Sequence, residues 1–233
     1  TVLKDYPKSF YSDYAQYQLG STLLRLNRLD SAILSFQSLM VNFPQSHFQA
    51  EAIYRLGSAL MQKRNFQEAG DQFQRLITVN PESTLKERAY YQLGSCYFHR
   101  NDFDKALGFF RNLYNRASDA EIGRLAKYQM GWCYFKIGKE REAIKEFESY
   151  LEKYPQSEIS ADVLYGLGEY YFNRGQYAKA RECLMTISKK FASSPVVDDA
   201  RFLTAAAYER EGDLWASVNE LKILSHDFPK SDL

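Results

Sequence analysis

The residues best suited to metal or nucleophilic chemistry are three histidines, His47, His99 and His226, and three cysteines, Cys96, Cys133 and Cys183. Their spacing assembles neither. There is no His-Glu-x-x-His pair, no Cys-x-x-Cys and no nucleophile elbow, and an odd cysteine count is no disulfide framework. The acidic pairs Asp198–Asp199 and Glu140/Glu142 read as solvated charge at hairpin ends. Gly166-Leu167-Gly168 lies within a helical pattern and not between a strand and a helix, so it is no dinucleotide loop. The sequence therefore predicts no enzyme, no cofactor and no metal. What is abundant is aromatic surface: Tyr 18 and Phe 16 against only two Trp. Rings at regular spacing do the chemistry of packing and recognition.

Charge narrows the partners. The 233 residues carry a formal net charge of +1, which leaves no basic stripe to neutralise a phosphate backbone, so nucleic acid is not an expected partner. No apolar run approaches the ~18 residues of a membrane span, and no direct membrane insertion is expected. A protein or peptide partner remains.

The elements that place the rings recur. Gly20, Gly57, Gly94, Gly131 and Gly168 are 37 residues apart, and Ala205 continues the series. Three positions earlier stand Tyr17, Tyr54, Tyr91, Tyr128, Tyr165 and Phe202, and five earlier a small residue, giving A-x-Y-x-L-G. Twelve positions after the glycine comes Ala32, Ala69, Ala106, Ala143, Ala180 and then Ser217; sixteen after comes Phe36, Phe73, Phe110, Phe147, Leu184 and Leu221. Pro44, Pro81, Pro155 and Pro229 close the unit.

Apolar and small residues three and four apart mark one helix face. Asn27, Asn101, Gly138, Gly175 and Gly212 tolerate the left-handed residue that ends a helix, with Arg64 the one departure. A second, shorter helix is expected to carry the Ala and Phe columns and to stop before proline. Ser9, Ser46, Ser83, Ser157, Ser194 and Ser231 are predicted N-caps of the following helices, with Ser46 to Gln49 at capping-box spacing. Ser118-Asp119-Ala120-Glu121 offers the same device shifted, and Pro195 suits a first helical turn. The expected organisation is one array over residues 1–233, with repeats at about 8–44, 45–81, 82–118, 119–155, 156–192 and 193–229.

The L-G, aromatic, Ala, Phe and Pro columns resemble the tetratricopeptide repeat (TPR), along essentially the whole chain. The resemblance implies an all-α fold, a right-handed solenoid of six helix-turn-helix repeats, here at a period of 37 rather than the usual 34 or so. The extra length points to a longer first helix or loop, and the last repeat, with Thr204, Ala205 and Ser217, is degenerate. The combination [FY]-P-x-S before A-x-Y-x-L-G is similar to bacterial cell-envelope members: outer-membrane assembly lipoproteins and the Tol–Pal-associated periplasmic protein. That resemblance implies a periplasmic or outer-membrane-associated setting, with the cytoplasm as the alternative.

The TPR resemblance also implies a concave face lined by first helices, where function would sit. It places Tyr91, Phe98, Tyr128, Trp132, Phe135, Tyr165 and Phe172 on one wall, flanked by His99 and Lys136. Two readings stand side by side. Large rings with a few cations make a peptide-binding hot spot, or the rings pack neighbouring first helices and the cations are merely solvated. Trp132, which replaces serine in its column, is the best partner contact, and Cys96 and Cys133 read as small core residues.

Both ends of the chain read as seams between repeats, which predicts a fragment of a longer protein. Trp215 stands in a column that otherwise holds Asp30, Gln67, Asp104, Arg141 and Ala178, and either lies on its own hairpin or packs on a repeat beyond this fragment. The leading functional expectation is a scaffold holding a partner segment. The alternative is a spacer or self-assembly module acting through the array ends, with oligomeric state open.

Overall fold

Among the described residues six sit at positive φ: Asn27 (55°), Arg64 (60°), Asn101 (62°), Gly138 (83°), Gly175 (70°) and Gly212 (84°). Each ends a first helix, as the sequence predicts. Arg64 adopts the same left-handed conformation as the asparagines and glycines, although its side chain favours it less.

The computed structural model describes residues 11–229 and 231. Among them are twelve helices and no strand: α1 (Ser12–Arg25), α2 (Leu29–Asn42), α3 (Gln49–Gln62), α4 (Phe66–Val79), α5 (Lys86–His99), α6 (Phe103–Arg116), α7 (Ala120–Ile137), α8 (Glu140–Lys153), α9 (Ile159–Asn173), α10 (Tyr177–Lys190), α11 (Val197–Glu211) and α12 (Leu214–Asp227). The fold is an all-α solenoid of helical hairpins. It divides into two compact units, Thr1–Lys139 and Glu140–Leu233. Within each, every helix packs on its neighbours in the chain. The second helices are not shorter than the first: α1 to α6 all have 14 residues.

The columns close the hairpins. Phe36, Phe73 and Phe110 in the first unit and Leu184 in the second are 0% exposed. A Cβ on Gly20, Gly57 or Gly94 would lie 2.7–2.9 Å from the facing ring, and one on Gly168 would lie 2.6 Å from Leu184. These glycines recur because the facing side chain occupies the space a Cβ would need. Ala32, Ala69, Ala106 and Ala180 are likewise fully enclosed.

The capping serines act one step earlier than predicted. The Ser46 carbonyl accepts from Gln49 N at 3.2 Å and its Oγ accepts from Phe48 N at 3.1 Å, so it caps a tight turn that precedes α3. Ser83 and Ser194 do the same for Leu85 N and Val196 N, and Pro195 lies in that turn. Ser157 Oγ instead bonds the Tyr150 hydroxyl at 3.0 Å. Ser9 falls outside the described residues. Ser46 and Gln49 form no capping box, because Gln49 Nε2 donates back to the Phe43 carbonyl at 2.6 Å and so closes the end of the previous repeat. At α7 the cap is Asp119, whose Oδ1 accepts from Glu121 N and Ile122 N, not Ser118.

A column absent from the sequence reading ties repeats together. Seven residues before the glycine series stand Asp13, Glu87 and Asp198. Ser46 Oγ donates to Asp13 Oδ2 at 2.7 Å, and Ser231 Oγ to Asp198 Oδ2 at 2.9 Å. Glu87 accepts from Ser118 N (2.7 Å), Ser118 Oγ (2.8 Å) and Asp119 N (3.0 Å). Asp198 is thus engaged, not merely solvated, as is Glu140, which pairs with Arg174 and accepts from Tyr170 Oη.

Burial raises the Glu87 carboxyl, but these three bonds favour its charged form and hold it below its ordinary value. A depressed folded value stabilises above the unfolded value of about 4.3 and is lost as pH falls through the folded one. Glu87→Gln is therefore expected to cost about 1 kcal/mol at pH 7, solvent screening keeping it low. The cost should begin to shrink below pH ~4 and go on shrinking as pH falls through the depressed folded value, where the wild-type carboxyl takes up its proton. Urea unfolding at pH 7 and at successively lower pH below ~4 checks this; a pH-independent loss would assign it to packing instead.

Candidate functional site

The predicted wall distributes over three first helices, and its residues are held differently in each. In α5, the Tyr91 ring rests on Phe110 at 5.5 Å and its hydroxyl accepts from Gln129 Nε2 of α7 at 3.2 Å. Burial raises the Tyr91 phenol, with the Gln129 and Ser95 bonds opposing. The same geometry recurs at Tyr17, which packs on Phe36 and accepts from Arg55 Nε of α3 at 2.9 Å. Tyr17 and Tyr91 therefore bridge adjacent first helices. Gln129 and Arg55, two before their glycines, were invisible as a column because their types differ.

Phe98 meets Phe103 edge-on at 5.2 Å, and the exposed His99 stacks on Phe66 of the preceding hairpin at 4.7 Å and 13°. Both lie at the end of α5, beside the turn that joins it to α6 within one hairpin. In α7, Tyr128, Trp132 and Phe135 form one continuous run: Tyr128 meets Trp132 edge-on at 6.2 Å, and Trp132 meets Phe135 at 5.9 Å. All three are half-buried, and Lys136 beside them is exposed. Residues three and four apart share a helix face, so these rings present one surface.

A cavity of about 270 Å³ opens between α3, α5 and α7, lined by Tyr54, Arg88, Tyr91, Asp119, Ile122 and Leu125 among others. Of the nine predicted site residues it touches Tyr91 alone. The carboxylates and guanidinium beside it come from positions with no repeat column, so the sequence pattern did not single them out.

The second unit carries the remaining two. Phe172 packs edge-on against Tyr177 at 5.4 Å. The Tyr165 phenol is pushed up to about 12 by burial and by Glu169, Asp199 and Asp198 around it. Burial and Asp199 in turn raise Glu169, and burial alone raises Asp162. This part of the first-helix face is acidic, in contrast to Arg88, His99 and Lys136 in the first unit.

Cys96 and Cys133 are buried, at 1% and 0% exposure, and Cys183 is half-buried; none is disulfide-bonded. Among the described residues no group of three or more His, Cys, Asp or Glu is placed to hold a metal ion, and no helix is long and apolar enough to cross a membrane.

Comparison with known proteins agrees with this architecture. A family model described as outer membrane lipoprotein (YfiO) matches residues 11–165, well over half of the chain. A tetratricopeptide repeat model matches residues 138–207. Among solved structures, MamA is 32% identical over 65% of this chain and 82% of its own, with a TM-score of 0.54. PilW, titled a widely conserved type IV pilus biogenesis factor, aligns over 96% of this chain and 97% of its own at 16% identity and TM-score 0.70. PilF of Pseudomonas aeruginosa aligns over 94% and 93% at 14% identity and TM-score 0.67. The last two likenesses establish the fold alone. No curated protein matches the chain. With its hairpins, its glycine–ring columns and the model spanning four of its repeats, the chain belongs to the outer membrane lipoprotein family of TPR proteins.

Proposed function

We propose that this protein is an interaction scaffold of the bacterial envelope, a single TPR array that holds a segment of a partner protein in a groove lined by its first helices. The carrying observation is the run Tyr128, Trp132 and Phe135 on α7, three contiguous rings that stay partly exposed in an otherwise well-packed helix. Such rings bury large area with few rotors to freeze, which is what concentrates binding energy in interface hot spots. Lys136, exposed on the same helix, would offer a donor for a partner's carboxylate or carbonyl groups, and the exposed His99 on α5 a second. Tyr91 and Phe98 would add to this surface within the first unit, and Tyr165 and Phe172 would offer rings on the first helix α9 of the second. The family match, with the likeness to the pilus biogenesis factor PilW, supports an assembly setting at the periplasmic side of the outer membrane. The partner is protein: the near-neutral chain offers nothing for nucleic acid.

The test is capture from envelope extract with the wild-type chain beside Trp132→Ala/Phe135→Ala. The double variant is expected to lose at least about tenfold in affinity for the captured protein, since truncating a hot-spot ring costs about 2 kcal/mol or more. Equal affinity of both chains would refute the ring face as the site.

A further inference from the structure

We infer that the cavity between α3, α5 and α7 receives an acidic side chain, Asp or Glu, from within the bound partner segment, with Arg88 as its counter-ion. The inference rests on the reading of the first-helix face as a partner groove and names a residue type that the groove selects. It starts from a bridge that one step of the array leaves unmade. Tyr17 Oη accepts from Arg55 Nε of the next first helix, and Tyr91 Oη from Gln129 Nε2, each pair 38 residues apart. The pair at the same register between them is Tyr54 and Gln92. Among the described residues neither the Tyr54 hydroxyl nor the Gln92 amide makes a hydrogen bond, and both side chains line the cavity of about 270 Å³.

Charge and wall chemistry fix the occupant. Arg88 on α5 lines the same cavity and is exposed, and among the described residues it pairs with no carboxylate. The two carboxylates of the cavity are already engaged. Asp119 Oδ1 accepts from Glu121 N and Ile122 N at the start of α7, and Glu121 stands 4.0 Å from Arg124. What the cavity lacks is therefore an anion for Arg88, and the Gln92 amide and Tyr54 hydroxyl supply two further donors for it. Ile122 and Leu125 of α7 make an apolar wall for the carbon stem of the same side chain. The volume is below the roughly 300–1,000 Å³ of pockets that enclose a whole small-molecule ligand, which suits a single side chain.

The acidic residue belongs to the interior of the segment and not to its end. Leu125, Tyr128, Trp132 and Phe135 follow one another three and four apart, so the cavity wall and the ring run share one face of α7. Across the cavity α3 presents Tyr54, which lies on Phe73. A segment seated on the rings and in the cavity thus has protein surface on both sides of its acidic residue. The recognised pattern is one acid flanked by large apolar residues: the rings supply affinity, and Arg88 supplies the choice of partner and of register.

The test is selection from a random peptide library displayed on phage through its C-terminal fusion, which leaves no free carboxyl end. Wild type and Arg88→Gln are the baits. Arg88 is exposed and unpaired, so the variant should fold as the wild type does, which circular dichroism checks. Wild type should enrich Asp or Glu at one position beside Leu, Phe or Trp, and Arg88→Gln should lose that enrichment. A selected peptide, acetylated and amidated, should bind wild type at least about fivefold more tightly than its glutamine-for-acid version in fluorescence anisotropy, as a partly screened charged hydrogen bond requires. On Arg88→Gln the two versions should agree within about twofold. Acid enrichment that is equal on both baits, or absent from the wild type, overturns the inference. If such clones still fail on Trp132→Ala/Phe135→Ala, the groove itself stands. A library that yields no binder removes the groove and the inference together. Loss of binding on capping the peptide ends would assign Arg88 to a terminal carboxylate and overturn the side-chain reading.

Discussion

Phe73→Ala is expected to lower the unfolding free energy by about 3–5 kcal/mol, the range for emptying a fully enclosed aromatic site. Phe73 is 0% exposed, lies on the Tyr54 ring at 5.6 Å, and its edge fills the space a side chain on Gly57 would take. The helix pair α3–α4 cannot collapse onto the void without losing its register with both neighbours. Gly57→Ala sets two effects against each other. Alanine is the better helix former by about 1 kcal/mol, but its Cβ would stand 2.8 Å from the ring, and overpacking costs about 1–3 kcal/mol. The ring is enclosed and cannot yield, so the clash wins and Gly57→Ala destabilises. In Gly57→Ala/Phe73→Ala the new methyl points into the vacated space. The double variant should then be more stable than the sum of the two losses predicts, by about 0.5–3 kcal/mol. Urea unfolding of all four proteins measures this, and simple additivity would mean that glycine and ring are not size-matched. The chain contains a related exchange, with Ala205 in the glycine column opposite Leu221.

Cys96 and Cys133 are expected to react with a disulfide reagent at pH 8 at least about 10³-fold more slowly in the folded protein than in urea. Burial pushes both thiols up to about 12, and Cys183 up to about 11. At pH 8 a thiol near 12 is about 10⁻⁴ thiolate, against roughly a fifth for an unfolded cysteine near 8.5, and only the thiolate attacks. Exclusion of the reagent adds to the difference at the two buried sites. Cys183, half-buried and less shifted, should react first. The sign carries over to stability. The folded chain keeps three protons that the unfolded chain releases above pH ~8.5, so stability falls as pH rises beyond that value. Timed labelling with and without urea decides the matter; a Cys96 that labels within tenfold of its unfolded rate would show that the α4–α5 seam opens readily.

Much of the fold was readable in the sequence for a simple reason. A repeat presents the same local problem many times, so the solution appears as a column: glycine against phenylalanine, alanine at the hairpin crossing, a left-handed residue at the turn. Arg64 could be placed in that turn by register alone, against its own preference. The serine register was visible too, but its exact role was not. Whether serine caps the helix or the turn before it depends on backbone direction over three residues, and either use has the same spacing.

The site was less legible because contacts between repeats join residues of unlike type. Tyr91 meets Gln129 where Tyr17 meets Arg55, and Glu87 ties down Ser118 where Asp13 holds Ser46. No single column shows these pairs. By itself the sequence determined the helical hairpins, their period and the residues enclosed within each, because those follow from local periodicity and from side-chain size. Only the tertiary structure decided that Tyr17 and Tyr91 bridge first helices, that three rings on α7 stay partly exposed, and that Leu19, Leu26, Trp215 and Leu221 lie bare. Exposure depends on what stands across the seam, and that is a property of neighbours, not of the residue's own position in the repeat.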